Sequence, residues 1–374
     1  MKHKSLIFLF ISFLILGVML WFVGIGDILG ALKIANLWFI ALAVLIQVFT
    51  YYLYTLRWQI INKMDGIEIS IKELFPIVMV GLATNNITPA GRGGGEPVRA
   101  YILSRDKGYP MEETFATVVA DKALDTFPFV FLAILTIIGI TFYFKLDLWI
   151  LILMIVAVIA IVACLILLIY MSVNPKFGKK VDNWIIGLIR RFYKKNSDEL
   201  EHKVHTVIGG FQDTMKLVIS DKRILHYALP LSFIIWIFEI LRVYVVFLAF
   251  GAHVSPIIIG EVFIMASLIG MIPLLPGGLG AVDGVMILFY STAGISASLS
   301  AAATVIERLI SFWLATVIGM LILPHYGSSV LDKISLSSKS DDESDDELLE
   351  LSLIHILRAH ETTLHLVCRL LLEK

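Results

Sequence analysis

Charge is scarce in this sequence of 374 residues: Asp, Glu, Lys and Arg make up 16% of it, and they sum to a net charge of -1. Soluble domains carry about 25%, so a soluble globular domain is excluded. Cysteine is rarer still. Cys164 lies inside an apolar run and Cys368 near the end of the chain, and two such cysteines make neither a disulfide framework nor a metal site. The sequence also lacks the Lys and Ser/Thr that follow the glycines of a P-loop, and it has no paired-His or Ser/His/Asp motif. His202 and His205 have no neighbours at metal-ligand spacing and read as solvated side chains. No cofactor, metal or nucleic-acid partner is therefore expected.

What is present is apolar: 58% of the residues, with a mean hydropathy of +0.88. Runs this dense predict an all-α, polytopic membrane bundle. Residues 6–23 read as a retained first span whose basic start lies in the cytoplasm, and residues 37–56 as the second, ending at Arg57. A third is centred on residues 127–144 and begins near Thr114, a fourth covers 148–173, a fifth 227–250 and the last 301–323. The connection 174–226 holds eleven Lys and Arg against six Asp and Glu, as expected of a cytoplasmic loop. Its stretch 176–195 alternates basic residues with Trp184, Ile185, Leu188, Ile189 and Phe192. That pattern suits either a helix on the anionic inner leaflet or a basic connector packed on the bundle.

Two segments interrupt this plan. Residues 84–99, TNNITPAGRGGGEPVR, put four glycines, two prolines, two arginines and a glutamate between apolar flanks. Residues 276–284, PGGLGAVDG, break the second half with four glycines, a proline and an aspartate. Irregular backbone at membrane depth is tolerated only where it is buried in protein or lines a cavity, so each is expected to be the tip of a re-entrant hairpin.

The landmarks around the two breaks recur in order. Arg57 precedes Pro89 by 32 residues, Pro89 precedes Glu96 by 7, and Glu96 precedes the Asp121-Lys122 pair by 25. Arg242 precedes Pro276 by 34, Pro276 precedes Asp283 by 7, and Asp283 precedes the Glu307-Arg308 pair by 24. The chain thus reads as a membrane bundle over 1–324 with repeat one at about 5–145 and repeat two at about 148–324. Three spans per half make the second half inverted relative to the first. An acidic tail, 325–350, is expected to be disordered and cytoplasmic, and residues 351–374 resemble a translated sequencing adapter and are set aside.

An ionised residue at the bilayer centre costs at least about 2.5–3.5 kcal/mol, so the intramembrane charges must face one another or a wet cavity. Arg57, Asp121, Lys122, Glu239, Arg242 and Glu307 are candidates for charge pairs or gates. Glu239 and Arg242, three apart, share a helix face and can pair locally, as a staple of the bundle or as part of a site. Glu307 and Arg308 diverge, so each needs a partner elsewhere. In the breaks, Gly93, Gly94 and Gly95 let N–H groups converge on an anion, and Arg92 and Arg99 can fork onto phosphate oxygens. Asn85 and Asn86 suit either headgroup hydroxyls or the broken backbone.

The motifs NNITPAGRGGGEPVRAYILSR (85–105) and IPLLPGGLGAVDGVM (272–286), with Glu307-Arg308, resemble the flippase-like transmembrane family that includes the membrane half of lysylphosphatidylglycerol synthase. The likeness covers roughly residues 5–324 and does not extend to the soluble aminoacyl-transfer domain of the synthase, so lysine transfer to lipid is not expected from this chain alone. It implies substrate contacts from Asn86, Pro89, Arg92, Gly94, Gly95, Glu96, Arg99, Gly277, Gly278, Gly280, Asp283 and Arg308. The family often has glutamate where Asp283 stands. The expected function is movement of a phospholipid or lipid-linked anionic headgroup between leaflets of the cell membrane. The other readings are a membrane-embedded transferase or its accessory subunit, and a scaffold on which a separate synthase docks. Cysteines placed at Arg105 and His253 are expected to react with impermeant reagents from opposite sides of the membrane; same-side labelling would rule out the inversion.

Overall fold

The computed structural model describes residues 33–88, 94–143, 148–174, 220–271, 278 and 280–337, with isolated positions between 177 and 216. The first span, most of the basic loop, both hairpin tips, and the acidic tail beyond 337 lie outside the described residues. Among the described residues there is no strand.

Helix α1 (Leu37–Met64) starts where the Asn36 side chain accepts the Trp38 N–H at 3.0 Å, and it runs past Arg57 to the turn at Gly66. Next come α2 (Ile71–Ile87) and α3 (Gly95–Lys107). Ser70 and Glu73 cap the start of α2 reciprocally, and Gly108, in the left-handed region, ends α3. Helix α4 (Met111–Tyr143) is 33 residues long, and α5 (Leu148–Val173) has 26 residues and no charged side chain. In the second half a π-helical turn (Ile224–Ala228) leads into α6 (Leu229–Ala249), followed by α7 (Pro256–Gly270), α8 (Ala281–Thr292) and α9 (Ala297–Arg308). A second π-helical turn, Leu309–Trp313, joins α9 to α10 (Leu314–Ser337).

Among the described residues, four stretches are long and apolar enough to cross a membrane: Leu37–Met64, Met111–Gly139, His226–Ala249 and Ala297–Tyr326. At 1.5 Å per residue, the 17 residues of α2 and the 15 of α7 fall short of a roughly 30 Å hydrocarbon core. Each packs instead against the short helix that follows it, α3 or α8. The order long helix, two short helices, long helix therefore occurs twice. The packing crosses over between the halves: α2 lies on α10, α7 lies on α4, and α1 and α6 lie against each other.

Apolar burial drives little helix association inside lipid, so close contact depends on small residues. In the first hairpin a Cβ on Gly95 would stand 2.0 Å from the Gly81 carbonyl oxygen, which is how near α2 and α3 approach. At its base Lys107 Nζ donates to Glu73 Oε1 at 2.6 Å. Those bonds, from Lys107 first and Ser70 second, hold the exposed Glu73 carboxyl down to about 2. Across the halves, a Cβ on Gly319 of α10 would meet the Met79 carbonyl oxygen at 2.2 Å. Gly319→Val is accordingly expected to destabilise the bundle by about 1–3 kcal/mol, read as a lower melting temperature in detergent. Gly260→Ala, whose Cβ would find only Ile240 at 3.6 Å, is expected to stay within about 0.5 kcal/mol of the wild type.

Candidate functional site: a charge-balanced cavity between two hairpins

In α1, Gln47, Tyr51, Tyr54 and Arg57 follow helical spacing and put a polar stripe along one face of the helix. The stripe faces a cavity of about 200 Å³. Its walls include Gly81, Asn85 and Asn86 of α2, Glu96 and Arg99 of α3, Phe263 and Ser267 of α7, and Val282 and Met286 of α8, so both hairpins border one space. The long helices contribute Asp121, Lys122 and Asp125 from α4, Glu239 and Arg242 from α6, and Glu307 and Arg308 from α9.

The charges pair in the same way in each half. Arg57 Nε donates to Asp121 Oδ1 at 2.7 Å, and Arg57 Nη1 reaches Asp125 Oδ1 at 2.8 Å and Ser232 Oγ at 3.1 Å. Its counterpart Arg242 donates to Glu307 Oε1 at 2.6 Å and also to Glu239 and Gln47. Nearer the hairpins, Lys122 Nζ lies 3.3 Å from Glu96 Oε1, and Arg308 Nε lies 2.8 Å from Asp283 Oδ1. Arginine to the acid of the acid-base dipeptide, and hairpin acid to its base, is thus one scheme built twice. Tyr54 Oη donates to Glu239 Oε1 at 3.5 Å and links the two networks.

The two kinds of pair differ in wetness. Arg57 and Arg242 are buried with their acids, whereas the Lys122 and Asp283 side chains are 43% and 28% exposed. Arg99 belongs to the first half alone. Both its terminal nitrogens donate to Asp121 Oδ2 at 3.2 Å, and its guanidinium lies over the Trp58 ring, 4.7 Å from the centroid. Arg308 lies 4.6 Å from the Phe312 ring centroid.

Other expected contacts are used differently from an open anion nest. The Gly95 N–H donates to Asn85 Oδ1 at 2.7 Å, and Asn85 Nδ2 donates to Glu96 at 3.4 Å. The Gly280 N–H donates to Asp283 Oδ2 at 2.8 Å. Asn86 Nδ2 donates to the Phe312 carbonyl at 3.0 Å and to Thr316 Oγ1 at 2.9 Å, tying the first hairpin to the second π-helical turn. Both asparagines therefore serve the broken backbone. Gly278 and Gly280 have positive φ of 68° and 78°, which only glycine adopts without strain, and Gly94 packs against Thr88. Pro89, Arg92, Gly93 and Gly277 lie outside the described residues.

Among the described residues, the charged side chains on the cavity wall number five basic (Arg57, Arg99, Lys122, Arg242, Arg308) and five acidic (Glu96, Asp121, Asp125, Glu239, Glu307). Asp283 stands behind Arg308, off the wall. Arg99 and Arg308 are thus matched by carboxylates rather than left free. Sequence reasoning passed over Gln47, Tyr51, Tyr54 and the partnership of Asp125, although the spacing 47, 51, 54, 57 carries the signal. Among the described residues no group of His, Cys, Asp and Glu suits a metal ion.

Paired short helices inside a helical bundle, closing on a buried polar cavity, define a multi-pass membrane protein with a central site. The chain belongs to the family described as the lysylphosphatidylglycerol synthase TM region, whose model matches residues 6–319. A UPF0104 membrane protein of Methanothermobacter thermautotrophicus is 50% identical over 334 residues, covering 89% of this chain and 99% of that protein. A UPF0104 membrane protein of Methanocaldococcus jannaschii is 33% identical over 320 residues, covering 85% and 94%. The glycosyltransferase AglD of Haloferax volcanii is 21% identical over 326 residues, covering 81% of this chain and 51% of that protein. No solved structure matches.

Removing one partner of a buried ion pair costs about 3–5 kcal/mol because the other charge is left stranded. Arg242→Gln is expected to destabilise by that much, and adding Glu307→Gln to recover part of the loss, in detergent melting experiments. Lys122→Gln, at a half-exposed pair, is expected to cost about 1 kcal/mol or less.

Proposed function

We propose that this protein moves a phospholipid or lipid-linked headgroup between membrane leaflets by alternating access, with both termini in the cytoplasm. One observation carries the reading: a single cavity bordered by two broken hairpins, with the same ion-pair scheme on each side. Broken elements meeting in the middle of a bundle, in inverted repeats, are the usual frame for alternating access. The first hairpin opens to the cytoplasm and the second to the outside. The dry pairs Arg57–Asp121 and Arg242–Glu307 hold each half together. The wetter pairs Glu96–Lys122 and Asp283–Arg308 break at lower cost and act as gates.

The headgroup enters by charge exchange. A phosphate carries two or more oxygens able to take a guanidinium fork, so it replaces Asp121 on Arg99 or Asp283 on Arg308, and the displaced carboxylate turns to water. The aromatic faces of Trp58 and Phe312 keep the two guanidinium planes in place during the exchange. The acyl chains stay in lipid, since the cavity has room for a headgroup only.

A second reading, a membrane-embedded transferase or the accessory subunit of a separate synthase or transferase, is favoured by the similarity to the glycosyltransferase AglD over about half its length. Glu96 or Asp283 would then act as base on a lipid-linked donor. In purified protein reconstituted into vesicles, exchange of labelled anionic lipid between leaflets is expected, with Glu96→Gln and Asp283→Asn each slowing it at least about tenfold, a loss of about 1.4 kcal/mol. Absence of exchange for every lipid, with turnover of an activated lipid-linked donor, would favour the second reading.

A further inference from the structure

One carboxyl at membrane depth takes no part in either network. Glu261 of α7 is 5% exposed, and its Oε2 has no hydrogen-bond partner. It lies against α4 at Gly139, where a Cβ would stand 2.0 Å from Oε1. The glycine thus provides the space in which the carboxyl sits. The helices packed on α7 are α4, α6 and α8. Their described titratable side chains are the cluster from Glu112 to Asp125 on α4, Glu239, Arg242 and Tyr244 on α6, and Asp283 and Tyr290 on α8. The ion pairs of Glu239, Arg242, Asp121, Lys122, Asp125 and Asp283 all go elsewhere.

Among the described residues an ionised carboxylate there would have neither a cation nor a donor to compensate its lost hydration, so the contact accommodates the neutral acid. The landmarks of the repeat show that nothing structural demands an acid. Glu261 precedes Asp283 by 22 residues, as Leu74 precedes Glu96, and Leu74 is fully buried in an apolar cluster. The same place in the other half is filled by a hydrocarbon side chain.

Glu261 is also on an element expected to move: it belongs to the second hairpin and touches the long helix of the opposite half. We propose that Glu261 takes up a proton when α7 closes on α4 and releases it when they part, coupling transport to a proton gradient. Release breaks the O–H bond heterolytically, the proton passes to water, and the carboxylate remains; uptake reverses this, with no change of oxidation state. Solvent reaches the separated carboxyl and hydrates its charged form, while closure on Gly139 requires the neutral form again. The proposal rests on the transport reading above.

Two measurements test it. Infrared spectra of the purified protein at neutral pH should contain a protonated-carboxyl band that shifts in D2O and is missing in Glu261→Gln. Gly139→Ala, whose Cβ takes the place of Oε1, should move that band with the glutamate retained, and Glu261→Leu, patterned on Leu74, gives a second check on folding. In vesicles of phosphatidylcholine and phosphatidylglycerol with a trace of fluorescent phosphatidylglycerol, an imposed pH gradient should change the wild-type exchange rate severalfold. Glu261→Gln should keep exchange without a gradient and lose the response to one. A wild type lacking the band, or a Glu261→Gln protein that still responds, overturns the proposal. A wild type that exchanges no lipid overturns the transport reading and the coupling with it, while proton binding at Glu261 then stands or falls on the band alone.

Discussion

A guanidinium taken to membrane depth keeps its charge and must find carboxylates, and the arrangement of this bundle follows from meeting that demand twice. Arg57 and Arg242 stand on α1 and α6, the two helices that lie against each other, and each sits between two acids. Satisfying Arg57 fixes how α4 crosses α1; satisfying Arg242 fixes how α9 crosses α6. The hairpins then fill the gaps between these crossings, each lying on the long helix of the opposite half. A cavity results because charges that must meet in pairs cannot also pack as tightly as hydrocarbon, and what is left between them is polar.

Much of this was legible in the sequence because charge is so rare in it. The landmarks Arg57, Glu96, Asp121-Lys122 and Arg242, Asp283, Glu307-Arg308 stand out against apolar runs, and their order anticipates two similar sets of pairs. The divergence of Glu307 from Arg308 is likewise a property of adjacent helical positions: one reaches α6 and the other the second hairpin. The identity of the partners was less accessible. Asp121 and Asp125 are four apart and share a helix face, so spacing alone did not say that Arg57 takes both while Arg99 shares the first. Helix ends were also misjudged: α1 continues to Met64 beyond Arg57, since an arginine with buried partners need not mark the end of a span. The π-helical turn Leu309–Trp313 has no compositional signal at all; what supports it, the bond from Asn86 to the Phe312 carbonyl, comes from the other half of the chain. Glu261 was passed over because a single acid inside an apolar run belongs to no motif.

The two halves are alike in scheme and unlike in detail, and the differences fall at the cavity. Counting from the hairpin acids, Arg99 corresponds to Met286, so only the first half adds a guanidinium beyond the shared pairs. Arg57 draws its second carboxylate from a neighbouring helix, whereas Arg242 draws its own from the same one. Under the proposed transport, a headgroup would meet chemically distinct surroundings on its two sides, although the backbone plan repeats.

The balance of five basic and five acidic side chains among the described residues of the cavity wall has an electrical consequence. A transmembrane voltage does work on displaced net charge, about 2.3 kcal/mol per elementary charge per 100 mV. A wall that sums to zero can swing from one side to the other while carrying no monopole through the field. In the proposed transport the voltage would then act on the passenger alone, through whatever valence the headgroup and any accompanying proton bring.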